Sequence, residues 1–93
     1  MKKFVIEREI PGVGDMNDKG ISEAARASNE ALDQLAPKVQ WIHSYVTGPK
    51  TFCIYLAESE EAIRPHAELS GFPANTITEV TRVIDPTTAS RPY

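Results

Sequence analysis

Three side chains with metal-binding chemistry stand out in this sequence. They are Glu7 in FVIEREI, His43 in WIHSYV and Cys53 in FCIY. Imidazole, thiolate and carboxylate together make a borderline-soft donor set, which suits nickel, zinc or copper better than magnesium or calcium. Glu9 repeats the carboxylate two residues on, and His66 adds a second imidazole. Trp41, Tyr45 and Tyr55 flank these donors and are candidates for orienting a bound ligand or cofactor. The spacing alone carries little weight, because no CxxC or HxxxH pattern is present. A structural reading competes. His43 is then a hydrogen-bonded sheet residue, Cys53 a small buried hydrophobe, Glu7 a partner for Arg8 or Arg82, and His66 a helix-surface histidine. The tyrosines are then interface area with a polar tip.

Other chemistries fit less well. Cys53 with His43 forms a conceivable nucleophilic pair, but a mid-strand cysteine lacks the helix N-terminus or cationic setting that activates a thiol. The glycines of PGVG at 11–14 are not a phosphate loop, since no helix follows at once and no GK[ST] is present. Glu60 and Glu61 read as helix-start acids.

Most of the candidates fall in the stretch Trp41–Tyr55, which reads as one β-hairpin. Val39–Thr47 and Thr51–Ala57 are its strands and Gly48-Pro49-Lys50 its turn. A three-residue loop pairs Thr47 with Thr51, Tyr45 with Cys53 and His43 with Tyr55. Trp41, His43, Tyr45, Cys53 and Tyr55 then share one face, and Ile42, Val46, Phe52, Ile54 and Leu56 the other. One residue of slip would flip one strand against its neighbour.

The flanking chain supplies the support. Lys3–Glu9 alternates, with Phe4, Ile6 and Arg8 on one face and Val5, Glu7 and Glu9 on the other, as a strand does. Pro11 and the glycines that follow end it. Ile21–Leu35 is the clearest helix, with Ile21, Ala24, Ala25, Ser28, Ala31, Leu32 and Leu35 on one stripe. Asp18 or Ser22 is its candidate cap, and Pro37 its stop. A second helix runs from an N-cap at Ser59 to about Ser70, although Pro65 is costly there. Gly71 is its candidate end, and 72–75 a loop. Thr76–Ile84 is the last strand, ended by Asp85-Pro86-Thr87-Thr88.

The order is β-α-β-β-α-β. It predicts a single α+β domain over residues 1–93 with the ferredoxin-like fold, a four-stranded antiparallel sheet carrying two helices on one face. The first and third strands are then central neighbours. The helices cover Phe4, Ile6, Ile42, Phe52, Ile54 and Leu56, and the bare face holds the chemistry. So much uncovered aromatic surface predicts a homodimer of the dimeric α/β-barrel type, packed through that open face.

Bulk composition agrees. A chain of 93 residues buries a modest fraction of its surface and gains from a partner. The net charge of −3, without a Lys/Arg block, argues against a nucleic-acid partner. One cysteine precludes an internal disulfide and suits a reducing compartment. There is neither a spanning apolar run nor a signal-peptide pattern at the N-terminus. No membrane association and a cytoplasmic location are expected.

The motifs FVIEREIPG (4–12), QWIHSYVT (40–47), FCIY (52–55), HAELSGFPAN (66–75) and VIDPTTA (83–89) together resemble a small bacterial domain-of-unknown-function family whose members are labelled nickel-binding. The resemblance spans nearly the whole chain. It implies a ferredoxin-like subunit, a homodimer and bound nickel, in a cytoplasmic protein without an established reaction. Glu7, Glu9, His43, Cys53 and His66 lie inside the matching motifs. The first helix departs most, with Asn29 and no cysteine where some members carry one. The function expected is therefore nickel sequestration, delivery or sensing. The alternative is a dimeric α/β-barrel enzyme, a cofactor-free monooxygenase or isomerase, working in an aromatic cleft around His43.

Overall fold

A computed structural model describes residues 1–35, 38–70 (side chains to residue 66) and 76–90. The elements are β1 (Lys2–Glu9), α1 (Asp18–Leu35), β2 (Val39–Val46), β3 (Lys50–Ala57), α2 (Glu60–Ser70) and β4 (Thr76–Val80). All four strands form one antiparallel sheet in the order β2-β3-β1-β4. This is the ferredoxin-like α+β arrangement, with β1 and β3 at the centre. The stop at Pro37, the helix end at Gly71 and the loop 72–75 lie outside the described residues.

Local chemistry accounts for most boundaries. The Asn17 side chain accepts the Gly20 amide at 2.8 Å and so caps α1, one residue before the expected Asp18. Ser59 caps α2 as expected, accepting the Ala62 amide at 3.3 Å. α2 continues through Pro65. β4 is shorter than its alternation suggested and ends at Val80, the partner of Lys3 on β1. Beyond it, Asp85 accepts the Thr87 amide and hydroxyl and opens a short 3-10 turn over Pro86–Ser90.

The hairpin departs from expectation. Its loop has two residues, Gly48 and Pro49, closed by the Thr47 amide donating to the Lys50 carbonyl at 2.9 Å. Val46 therefore pairs with Thr51, Tyr45 with Phe52 and His43 with Ile54. A β-bulge follows between Trp41 and His43, so that Trp41 pairs with Tyr55. The bulge takes up Ile42 as the extra residue and returns Trp41 to the helix side. There its indole N–H donates to Ser44 Oγ at 3.0 Å.

The two faces of β3 are consequently exchanged relative to the expected register. Thr51, Cys53, Tyr55 and Ala57 are buried under the helices, with Phe4, Ile6 and Arg8 from β1. Ile63 of α2 completes this core, and Leu32, Leu35, Trp41, Ala62 and Ile77 pack on it. Phe52, Ile54 and Leu56 instead share the open face with Val5, Glu7, His43 and Tyr45.

The turn is fixed from outside the hairpin. The Ile10 amide donates to the Pro49 carbonyl and the Gly14 amide to the Gly48 carbonyl, both at 2.8 Å. Gly12 takes a left-handed φ of 81°, which lets the PGVG segment double back. A Cβ on Gly14 would fall 2.5 Å from the Thr47 carbonyl oxygen and 2.8 Å from Gly48 backbone. Gly20 would meet only movable side-chain atoms of Met16 and Asn17, at 3.1 and 3.4 Å. The two glycines should respond with opposite signs in urea unfolding. Gly14→Ala lowers stability by about 1–3 kcal/mol, whereas Gly20→Ala raises it by about 0.5 kcal/mol.

Candidate functional site

The five expected metal donors divide between the two sides of the sheet. Glu7, Glu9 and His43 belong to the open face, Cys53 and His66 to the helix side. On the open face Glu7 lies in the row Glu7–Phe52–Tyr45, and His43 in the next row, opposite Ile54. Two strand spacings, about 10 Å, therefore separate the backbones of Glu7 and His43 within one chain. The described residues contain no group of three or more His, Cys, Asp or Glu side chains placed to hold one ion. The expected single site of Glu7, His43 and Cys53 is thus not formed within a chain, because the two-residue loop turns Cys53 inward.

Each open-face group has a neighbour. Lys50 Nζ lies 2.7 Å from the Glu7 carboxylate and 3.9 Å from that of Glu9. The hydrogen bond to Glu7, then its charge, raises the lysine pKa above its ordinary value. His43 Nε2 and the Tyr45 hydroxyl are 3.2 Å apart, with the rings edge to face at 5.0 Å.

On the helix side the structure assembles a cluster of Arg8, Ser28, Tyr55 and His66. All four are buried. The Arg8 guanidinium lies 3.4 Å from His66 Nδ1, and His66 Nε2 lies 3.1 Å from Ser28 Oγ. Arginine can only donate, so Nδ1 is the acceptor and the Nε2–H donates to Ser28. Burial foremost, then the Arg8 charge, lowers the His66 pKa from 6.5 to about 4, with the Ser28 backbone opposing. His66 is thus a neutral core residue at neutral pH, neither exposed on its helix nor reaching a sheet-face ion. Burial also raises the Tyr55 pKa, against the hydrogen bond from Ser28 and the charge of Arg8. Cys53 is buried beside them, its thiol donating to Thr51 Oγ1 at 3.5 Å.

The cluster borders a cavity of about 240 Å³ between α1 and the sheet. Trp41 and Tyr55 line it, whereas His43 and Tyr45 do not. The cleft expected around His43 is therefore displaced to the opposite face. Arg8 and Ser28 were not expected as site residues. Their signal was present: a charge in register with Phe4 and Ile6, and a hydroxyl within an alanine stripe.

The family model of nickel responsive, SCO4226-like proteins matches residues 4–80. This chain belongs to that family. Among solved structures, SCO4226 from Streptomyces coelicolor A3(2) superposes with a TM-score of 0.72 at 18% identity. The match covers 88% of this chain and 99% of that one, and at such identity it establishes the fold alone. No curated protein matches the sequence. Among the described residues, no helix is long and apolar enough to cross a membrane.

Among the described residues, no three donors of one chain are placed together to hold a nickel ion. The open face does offer an imidazole and two carboxylates, but Lys50 already engages the latter. His66, by contrast, has a measurable role in the fold. Unfolding frees it to bind a proton that the folded state rejects. Its contribution is full above pH 6.5 and is lost as pH falls toward 4. The loss amounts to at most about 3 kcal/mol. Urea unfolding from pH 7 to 4 should therefore show less pH dependence in His66→Gln than in the native chain.

Proposed function

We propose that this protein binds nickel as a homodimer joined through the open sheet face, serving in nickel sequestration, delivery or sensing in the cytoplasm. Membership of a family described as nickel responsive is the observation that carries this reading. The open face supports the dimer, since Val5, Tyr45, Phe52, Ile54 and Leu56 lie on it with no described helix above them. Pairing two such faces would place donors of one copy against donors of the other. His43 is then the leading ligand, with Glu7 or Glu9 of the second copy. Tyr45 would hold the imidazole in position. Cys53 and His66 lie across the sheet and do not join the same ion.

Nickel should displace Lys50 from its carboxylates, because one site cannot hold both cations. Calorimetric titration of the untagged protein with nickel should give a saturable heat. His43→Ala should weaken binding by at least about tenfold, and Lys50→Met should strengthen it. Sedimentation should give twice the chain mass. The reading fails if nickel gives no heat above the buffer blank, or if His43→Ala binds as the native chain does. Zinc and copper favour the same donors, so parallel titrations rank the three metals.

A further inference from the structure

None of the donors proposed for nickel lines the cavity under α1, and its composition is that of a ligand site. Its buried end is polar, with Arg8, Ser28, Thr51 and Tyr55 all buried. Its outer end is apolar and open, because Met16, Ile21 and Val46 line it and are 39%, 37% and 48% exposed. Trp41 and the small side chains of Ala24 and Ala25 form the walls between.

Arg8 gives the cavity its chemistry. The residue is 3% exposed, and its Nε has no hydrogen-bond partner. Among the described residues no carboxylate pairs with it. Glu7, Glu60 and Glu79 pair with Lys50, Arg64 and Lys2 instead. Among the described residues the guanidinium meets neutral groups, His66 Nδ1 and the Tyr55 ring, whose centre is 5.7 Å away. Arginine stays charged at any physiological pH. A buried cation without an anion is unfavourable unless a counter-charge reaches it.

We propose that this cavity binds a small organic carboxylate, with its anionic group on Arg8 and its apolar body against Trp41 and the alanines of α1. A carboxylate matches the fork of a single guanidinium. A phosphate ester brings more charge than one arginine balances. The volume of about 240 Å³ falls just below the range of about 300–1,000 Å³ typical of drug-sized ligands. The occupant is therefore compact, such as an arylacetic or short branched acid. This inference is independent of the nickel reading.

Phenylacetate and its neutral analogue phenylacetamide distinguish charge recognition from simple apolar filling. Metal-free protein is titrated with each, by calorimetry and by the emission of Trp41, the only tryptophan in the chain. Phenylacetate should saturate and shift the emission, and the amide should bind about tenfold to a hundredfold more weakly. Arg8→Met should abolish that preference. Ala25→Leu, which narrows the cavity and keeps the charge, should abolish binding of both probes, and it decides the question if Arg8→Met fails to fold. Equal affinity for acid and amide would overturn the proposal. So would an unchanged emission with no heat, or undiminished phenylacetate binding in Ala25→Leu.

Discussion

The register of the β2–β3 hairpin is the constraint on which the rest of the molecule depends. The Thr47 amide and hydroxyl both donate to the Lys50 carbonyl and close a two-residue loop. From there the alternation of β3 follows without further choice. Thr51, Cys53, Tyr55 and Ala57 go under the helices, and Phe52, Ile54 and Leu56 go to the open face. The turn is not left to itself, since backbone donors from Ile10 and Gly14 hold its two carbonyls. The segment after β1 thereby sets the address of every side chain on β3.

Element order was legible because it rests on local periodicity. The alternation of β1, the alanine stripe of α1 and the Ser59 cap each declare themselves within a few residues. Register was not legible, because it is decided at a distance. Nothing within Trp41–Tyr55 announces that Ile42 is the bulged residue, or that Gly14 docks against the turn. Assuming an unbulged strand and a three-residue loop gave a tidy separation of aliphatic from titratable residues. The fold instead mixes them, placing Tyr55 and Cys53 inside and the aliphatic side chains of β3 outside.

The same cause explains how the candidate site was read. The donor types were apparent from the sequence, and the family membership agrees with their borderline-soft character. Their partition between two faces was hidden with the register. Arg8 was visible on the same face as Phe4 and Ile6, yet its consequence was not. Only the packing of α1 and α2 shows that it is enclosed, that it orients the imidazole of His66, and that it borders a cavity.

Enclosure of Cys53 has a bearing on redox chemistry. It is the only thiol in the chain, and it lies against Thr51 beneath the helices. Oxidants and alkylating reagents act on exposed thiolates, so they reach this sulfur through the cavity that it lines or when α1 or the hairpin lifts from the sheet. Its modification rate is then set by access, through that cavity and by local opening, rather than by intrinsic thiol reactivity alone. The chain thus carries its own reporter of access to the space beside Arg8.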